Sequence, residues 1–228
     1  MRIANNVEML KVYNIESTVY LVLVWDADHL VLIDAGYPGQ RDAIVKAIAD
    51  AGFSAERLTH IILTHQDYDH IGCVLELLEL SPSAQILAHI DEAPYIDGRK
   101  TPIKLAEMLD QYDNLSDDQK MWCDNYKEEY ATQKIIISQM LSDGDTLPIC
   151  GGIEVVHTPG HTPGHICILL QECGVMVTGD ALNIEDGEMI GPIPQYTHDM
   201  ELALRSAEKA KSRPFNAIIA YHGGYLKI

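Results

Sequence analysis

The sequence predicts an α+β fold in which two β-sheets pack face to face and helices cover their outer sides. Three observations predict it. Apolar runs of strand length alternate with amphipathic helical segments, this order occurs in two successive halves, and five of the apolar runs end on Asp or His beside a turn. A chain of 228 residues, 47% of them hydrophobic, is long enough for one domain with a large core.

The first half opens with a meander of strands. Strands are predicted over residues 7–13, 19–25, 30–34, 58–64 and 85–89. A helix over residues 40–51 presents Ile44 and Ile48 on one apolar face, and Gly52 ends it. A second helix, over residues 69–80, separates the last two strands. These elements supply one sheet and one helical layer.

The second half begins after a stretch of different composition. Residues 91–142 are rich in Tyr, Met, Lys and Glu, and helices are predicted near 102–112 and 116–130, the second starting with the capping box Ser116 to Gln119. A turn at 143–145, strands between 153 and 177, a helix over 199–211 and a strand over 216–220 follow. We therefore predict a single domain, residues 1–228, with a helical insertion at about 91–142.

The segment Thr-His-Gln-Asp-Tyr-Asp-His-Ile-Gly, residues 64–72, is the most informative part of the chain. It places His65, Asp67, Asp69 and His70 within six positions, between a strand-like run and an amphipathic run. Asp69 is predicted as the N-cap of the following helix. Two imidazoles and two carboxylates this close would repel each other or stay half-satisfied without a cation. The segment predicts a metal site rather than surface decoration.

Other strand ends carry similar side chains. Asp34 follows the strand ending at residue 33, Asp180 follows residues 175–177, and His222 follows residues 216–220. The sequence Thr-Pro-Gly-His occurs twice in residues 158–165 and ends on His161 and on His165. Because the carboxyl ends of strands carry binding sites in such sheets, we expect these side chains to converge.

With these residues in place, the chain resembles the metallo-β-lactamase superfamily over about residues 12–222. The family pattern is D-x-G, then H-x-H-x-D-H, a His after Pro-Gly, G-D and a last His. The matching segments here are Asp34-Ala35-Gly36, His65 to His70, His161, Gly179-Asp180 and His222. One position departs, since Asp67 replaces the second His and gives H-x-D-x-D-H. The resemblance implies a four-layer αββα sandwich, on the lactonase and hydroxyacylglutathione-hydrolase side of the family.

The resemblance also implies a centre of two divalent metal ions. The implied ligands are His65, Asp67 and His161 for one ion, Asp69, His70 and His222 for the other, and Asp180 between them. Asp34 would orient a ligand or the loop, because a metal-bound imidazole needs an acceptor for its other N–H. His165 is the alternative to His161 as ligand, and is expected instead to support the ligands or to pack.

The chemistry implied by the resemblance is hydrolysis. A metal-bridging hydroxide would attack the carbonyl of an ester, lactone or thioester of a small molecule, with Asp69 and Asp180 as the catalytic carboxylates. Zinc is the expected metal. Asp67 adds a third carboxylate, which lowers the net charge of the centre and shifts the preference towards iron or manganese. The alternatives are therefore a di-iron oxidoreductase or oxygenase, and a metal-binding protein with little turnover.

Charge and cysteine content limit the partners and the compartment. The net charge is −18, with 34 acidic and 16 basic residues, which argues against a nucleic-acid partner. Five cysteines without a C-x-x-C pair are typical of a reducing cytosol. The chain shows neither a signal peptide nor an apolar run of membrane-spanning length. We expect a cytoplasmic protein with a small-molecule substrate and no membrane or nucleic-acid partner, and a homodimer is left open.

Further histidines and tyrosines are candidates for supporting roles. His60 and His157 are expected to be structural, His29 and His198 to lie on the surface, and His89 to end a strand beside the site. The tyrosines near the motifs could each donate a hydrogen bond to an oxyanion, but packing is the simpler expectation for each. They are Tyr68, Tyr196 and Tyr221. Substrate specificity is expected to lie in residues 91–142 and 184–198.

Overall fold

Two β-sheets form the centre of the computed structural model, which describes residues 1–13, 18–132 and 134–228. The first sheet has seven strands in chain order: β1 (Arg2–Ala4), β2 (Val7–Tyr13), β3 (Thr18–Trp25), β4 (Leu30–Ile33), β5 (His60–Leu63), β6 (Gln85–His89) and β7 (Gln139–Leu141). The remaining strands are β8 (Thr146–Leu147), β9 (Ile153–His157), β10 (Ile166–Leu170), β11 (Val175–Val177), β12 (Asn183–Glu185), β13 (Glu188–Ile190), β14 (Ala217–Ala220) and β15 (Gly224–Lys227). The second sheet has the order β15-β14-β11-β10-β9-β8, and β12 and β13 form a separate hairpin.

Seven α-helices accompany the sheets within the described ranges. They are α1 (Arg41–Asp50), α2 (Tyr68–Ile71), α3 (Val74–Leu80), α4 (Ala93–Ile96), α5 (Ile103–Asp110), α6 (Asp117–Thr132) and α7 (Met200–Lys211). Short 3-10 turns occur at Ala55–Arg57, Tyr112–Asn114 and Pro194–Tyr196. In the part of the chain that the structure describes, no helix is long and apolar enough to cross a membrane.

Alternation along the strands produces four layers. Successive side chains of a strand point to opposite faces. Leu21 accordingly packs with α1 and α3 on the outer face of the first sheet, whereas Val22 lies between the two sheets. In the second sheet, Ile168 points to the same inter-sheet core and Leu169 packs under α7. Burial on both faces explains why the strands are continuous apolar runs, and the predicted αββα sandwich is confirmed.

The strand directions bring several loops to one edge. β4, β5, β6 and β7 are parallel neighbours, as are β11 and β14 in the second sheet. The chain leaves β4 at Asp34, β5 at Thr64, β11 at Thr178 and β14 at Tyr221. Because parallel strands present their carboxyl ends on one side, these loops can meet.

The helix predicted over residues 69–80 is in fact two helices. α2 and α3 are separated at Gly72 and Cys73, where the loop containing Pro38 crosses the chain. A Cβ on Gly72 would lie 2.2 Å from Cδ and 2.3 Å from the backbone nitrogen of Pro38. The predicted N-cap is also wrong, because Asp67, with extended backbone angles, holds that position and Asp69 lies in the first turn. The Asp67 side chain makes no capping bond, since it is directed at other partners.

Residues 91–142 contain the helices expected there. Ser116 donates its N–H to Gln119 Oε1 at 3.0 Å, and Gln119 donates its N–H to Ser116 Oγ at 3.3 Å, so the predicted capping box forms. Leu105, Cys123 and Tyr126 give these helices a small core of their own. The short strand β7 returns the chain to the first sheet. Residue 133 of the predicted insertion lies outside the described residues, and the insertion itself stays a prediction.

Candidate metal centre

A first group of side chains meets between the loop after β5 and the loops of the second sheet. Ligand atoms of His65, Asp67, His161 and Asp180 all lie within 4.8 Å of one another. Asp67 Oδ2 is 2.8 Å from His161 Nε2 and 3.1 Å from His65 Nε2. Asp180 Oδ2 lies 3.5 Å from His161 Nε2. Residues from three separate strand ends therefore converge on one point.

A second group lies beside the first. Asp69, His70 and His222 also bring one ligand atom each within 4.8 Å of the others. Asp69 Oδ2 is 3.2 Å from His222 Nε2 and 3.6 Å from His70 Nε2. Asp180 Oδ1 lies 3.6 Å from the Nε2 atoms of both His70 and His222. Asp180 thus turns one carboxylate oxygen to each group, and all seven predicted ligands are brought together.

The unsatisfied atoms of the cluster indicate what it can hold. His65 Nε2, His70 Nε2 and Asp180 Oδ1 are buried and find no hydrogen-bond partner within the described part of the chain. Buried polar atoms of proteins normally have a hydrogen-bond partner, so several unpaired atoms that lie together require a partner of another kind. Imidazole nitrogens and carboxylate oxygens are ligands of zinc, iron and manganese. The donors therefore fit two divalent cations, one at each group.

Asp34 holds the ring of one of these histidines. Its Oδ2 accepts the Nδ1–H of His70 at 2.9 Å, and its Oδ1 accepts the backbone N–H of Thr64 at 2.8 Å. The Thr64 hydroxyl also donates to this carboxylate. Asp34 has a φ of +62°, an uncommon conformation for a residue other than glycine. These contacts leave Nε2 of His70 directed at the cluster, and the orienting role of Asp34 stays a prediction.

His165 lies next to the cluster but does not point a free nitrogen into it. Its Nε2 accepts the backbone N–H of Asp180 at 3.1 Å, so its Nδ1 carries the proton and donates to Thr158 Oγ1 at 2.8 Å. Burial lowers the pKa of His165 well below its usual value, and the neighbouring His65 adds to the effect. Both ring nitrogens are therefore engaged, and His165 holds the backbone of Asp180.

The pKa values of the cluster reflect burial and close charges. Burial lowers the pKa of His65 to about 4, and the charge of His70 contributes. Burial acts in the same direction on His70, but Asp34, Asp69 and Asp180 outweigh it and raise its pKa well above the usual value. Burial would raise the pKa of Asp67, yet His65 and Lys104 hold it well below its usual range. The pKa values of Asp69 and Asp180 are lowered as well, and lowered values favour the ionised form that binds metal.

Two residues outside the sequence motifs, Glu92 and Lys104, lie beside the cluster. Glu92 is fully buried, and it accepts the Gln66 backbone N–H at 2.8 Å, the Gln66 amide at 2.9 Å and the Gly164 N–H at 2.7 Å. Burial raises its pKa to about 7 against the effect of these donors. Glu92 therefore ties together the two loops that carry His65 and His161. Lys104 of α5 pairs with Asp67. No local motif marks these residues, because their partners are distant in the sequence.

A cavity of about 320 Å³ opens over both groups. Asp69, His161, Asp180 and His222 form part of its wall, together with Lys104. A neighbouring groove of about 430 Å³ shares Lys104 and His161 with it. The cavity is of the size that small-molecule sites have.

The three tyrosines near the motifs have different surroundings. Tyr196 is 54% exposed and lines the cavity. Tyr68 packs against Tyr126, with ring centroids 4.9 Å apart. Tyr221 is buried, and its hydroxyl donates to the backbone oxygen of Asp69 at 2.5 Å. Packing accounts for Tyr68 and Tyr221, and Tyr196 remains placed to meet a ligand.

The other histidines belong to neither of the two groups. His89 and His157 stack with centroids 3.9 Å apart and planes at 13°, and Asp91 lies beside them. Nearly parallel rings cannot aim their in-plane lone pairs at one ion, so stacking is the better account of this trio. His60 packs near His29 with centroids 5.7 Å apart. His198 is exposed and pairs with Glu107 at 2.8 Å.

Comparisons with known proteins agree with the fold and the cluster. The family model described as the metallo-beta-lactamase superfamily matches residues 15–222. The chain is 29% identical over 222 residues to the probable metallo-hydrolase YflN of Bacillus subtilis (strain 168), covering 91% of this chain and 80% of that protein. It is 27% identical over 211 residues to the hydroxyacylglutathione hydrolase GloC of Haemophilus influenzae, covering 90% and 86%.

A solved structure has the same fold. The crystal structure of a metallo-beta-lactamase family protein from Thermus thermophilus aligns with a TM-score of 0.75 at 23% identity, covering 99% of this chain and 76% of that one. The family match extends from residue 15 to residue 222 and so includes every residue of the two groups. The chain therefore belongs to the metallo-β-lactamase superfamily.

Proposed function

We propose that this protein is a metal-dependent hydrolase that cleaves an ester, lactone or thioester of a small molecule at a dinuclear centre. The observation that carries the proposal is the placement of Asp180, whose two carboxylate oxygens face the two donor groups at the wall of a cavity of about 320 Å³. Relatives that align over nine-tenths of the chain are a probable metallo-hydrolase and a hydrolase of acylated glutathione, which is a thioester.

The residues divide the work of such a reaction. Two bound divalent ions would supply Lewis acidity towards the carbonyl and make water a nucleophile near neutral pH. His65, Asp67 and His161 would hold one ion, and Asp69, His70 and His222 the other, with Asp180 shared. Asp69 is 17% exposed and lines the cavity, so its carboxylate can take the proton of the attacking water and return it to the leaving group.

The cavity wall supplies the contacts to substrate. Tyr196 and Lys104 face the cavity from two different segments, and the ammonium lies 5.5 Å from the centroid of the tyrosine ring. The Tyr196 hydroxyl can donate to a carbonyl oxygen as charge develops on it. Ile193 adds an apolar surface for the body of the substrate. This volume supports a small-molecule substrate, which stays a proposal. The absence of nucleic-acid and membrane partners, the cytoplasmic location and a homodimer stay predictions.

A substrate panel tests the proposal. The protein is freed of metal with a chelator, reloaded with zinc, manganese or iron, and assayed on lactones, acyl thioesters, simple esters and phosphoesters. We expect turnover of at least one carbonyl ester class, dependent on metal and absent from Asp180→Ala. The matched control is Asp117→Ala, which removes a carboxylate at the start of α6, outside the two donor groups. Turnover of phosphoesters alone, or of none of the carbonyl esters, would overturn the proposed class.

A di-iron oxidoreductase or oxygenase is the second candidate, and one observation favours it. The first donor group contains the carboxylate of Asp67 in place of an imidazole, and oxygen ligands favour iron and manganese over zinc. Metal analysis of protein purified without added metal separates the two functions. Two zinc or manganese ions without visible absorption support hydrolysis. Two irons with consumption of oxygen support redox chemistry.

A further inference from the structure

A lysine from the helical segment is paired with the unusual aspartate of the motif. We propose that Lys104 is a charge-compensating partner of Asp67, so that the Asp67–Lys104 pair takes the place of one neutral ligand at the centre. Lys104 would act through Asp67 and not as a ligand. The inference rests on the metal centre proposed above, but not on the reaction that this centre performs.

One oxygen of Asp67 carries most of the contacts. Asp67 is 4% exposed, and its Oδ2 contacts Nε2 of His161, Nε2 of His65 and the ammonium of Lys104. A carboxylate this deeply buried needs a positive or hydrogen-bonding partner, because burying it alone is strongly unfavourable. An imidazole that binds a metal ion does so in its neutral form. Lys104 is therefore the side chain that places a permanent positive charge beside the Asp67 carboxylate.

The backbone of α5 is fixed in register with the motif, so the pair is not a chance surface contact. Gln66 Oε1 accepts the backbone N–H of Ile103 at 2.9 Å. The Gln66 amide group is itself held by Glu92 at 2.9 Å. Two consecutive residues of the motif, Gln66 and Asp67, thus hold two consecutive residues of α5, Ile103 and Lys104. The side chain of Lys104 is 33% exposed, so it reaches the buried carboxylate from the cavity wall.

The Asp67–Lys104 pair sets the net charge of the proposed centre. Two divalent ions with the carboxylates Asp67, Asp69 and Asp180 retain one net positive charge, and Lys104 brings the total to two. A neutral histidine at position 67 without a lysine would also leave two. The motif alone indicates one net positive charge, because Lys104 lies outside it, 37 positions from Asp67 in the sequence. The cluster therefore has the electrostatics of the commoner ligand set despite its aspartate.

A double-mutant cycle tests the pair with two measurements other than activity. The four proteins are the wild type, Lys104→Met, Asp67→His and the double variant. In metal-free protein, Lys104→Met should raise the unfolding equilibrium constant on the order of tenfold, because it leaves a buried carboxylate short of a partner. In the Asp67→His background, Lys104→Met should not destabilise the protein. The lysine that it removes faces a neutral imidazole there and not a carboxylate. Urea unfolding measures both effects.

Zinc affinity provides the second measurement, by competition with a chromophoric chelator. Removing a positive charge near the ions should tighten zinc binding on the order of tenfold. The gain should be larger in the wild type than in the Asp67→His background, because only in the wild type does a bound ion also become a partner for a carboxylate that has lost the lysine. Lys104→Arg keeps the charge and should keep the wild-type affinity. Lys100→Met removes a charge from an exposed lysine of the same segment and should change neither measurement.

The outcomes separate this inference from the proposed function. If Lys104→Met has the same effect in both backgrounds for stability and for zinc, Lys104 does not compensate Asp67. If the wild-type protein binds no divalent metal, the proposed centre fails, yet the metal-free cycle still decides whether the two side chains are coupled. Coupling in both measurements with rescue by Lys104→Arg supports the pair.

Discussion

At the scale of single residues, neighbours decide roles that local sequence leaves open. His161 and His165 each follow the sequence Thr-Pro-Gly, yet only His161 lies in the first donor group. Its Nε2 is 2.8 Å from Asp67 Oδ2, whereas both nitrogens of His165 are bonded to Asp180 and Thr158. The structure thus brings His161 into the first donor group and bonds His165 to the backbone of Asp180.

Alanine substitutions should separate these two histidines. His161→Ala should lose the ion of the first group, because it removes one of three donors that are not shared. His165→Ala should retain two ions with affinity or activity about 10–100-fold lower, as expected when a residue that orients a ligand is lost. Metal content after gel filtration measures both. The reverse order would mean that His165 is the ligand.

Asp180 is the residue on which the two groups depend together. Asp180→Ala should lose at least one ion and nearly all turnover, because within the described residues its two oxygens face both groups. Asp180→Asn keeps the shape and removes the charge, so it should also weaken binding. Metal analysis and calorimetric titration with zinc measure the loss. Two tightly held ions in the alanine variant would refute the bridging role.

At the scale of elements, close contacts between loops determine where helices begin and end. The break between α2 and α3 falls at Gly72, whose backbone N–H donates to the carbonyl of Gly36 at 2.8 Å. The adjoining N–H of Cys73 donates to the carbonyl of Ala35 at 3.1 Å. The loop after β4 is therefore bonded to the helical segment after β5, and this fixes Asp34 against His70.

A methyl group at Gly72 should disrupt this junction. Gly72→Ala would bring Cβ to 2.2 Å from Pro38 Cδ and 2.5 Å from the Tyr37 carbonyl carbon, and backbone atoms cannot turn away as a side chain can. The free energy of unfolding should fall by about 3 kcal/mol or more. Urea unfolding measures the change. Gly191→Ala, where the nearest atom is Leu204 Cδ2 at 4.0 Å, is the control and should stay within about 0.5 kcal/mol.

At the scale of the whole molecule, the two sheets are joined by apolar packing and by a polar contact at their edge. Asp26, in the turn between β3 and β4, accepts the backbone N–H of Cys150, in the loop between β8 and β9 of the second sheet, at 2.7 Å. The same carboxylate accepts the N–H groups of Asp28 and His29 at 2.9 and 2.8 Å. Burial would raise the pKa of Asp26, but these donors lower it below its ordinary value of 3.8.

This contact should make the stability of the molecule depend on pH. Asp26→Asn should lower the free energy of unfolding at pH 7 by about 1 kcal/mol, because a charged acceptor is replaced by a neutral one at a partly exposed position. A lowered pKa means that the stabilisation is present above the ordinary pKa and is lost as the pH falls through the lowered value. The difference between the two proteins should therefore shrink below about pH 3.8.

Urea unfolding of metal-free wild type and Asp26→Asn at about pH 7, 4.5 and 3.5 measures this dependence. Asp28→Asn, an exposed neighbour whose carboxylate does not accept from Cys150, is the control and should follow the wild type. A difference for Asp26→Asn that is constant across the three pH values would contradict the pKa argument.

The sequence by itself predicted the sandwich, and the resemblance carried by its motifs implied the seven donors that the structure brings together. β2 and β6 match the predicted bounds, and α1 and α7 differ from them by a residue or so, because their patterns of apolar residues repeat with the period of the element. Short edge elements such as β1, β8 and β15 were not predicted, since they are only partly buried and lack the continuous apolar run that marks short central strands such as β4 and β14. The donors were predictable because each lies close to the end of a buried strand or in a motif beside one.

Only the tertiary structure decided how the donors are held and how their charge is balanced. Glu92 joins two loops that are far apart in the sequence, and Lys104 reaches Asp67 from a helix whose own pattern is simply amphipathic. The choice between His161 and His165 likewise depends on Thr158 and Asp180. The physical reason is that periodicity records which face of an element is buried, whereas a hydrogen bond or ion pair between distant segments depends on distances that form only when the layers pack.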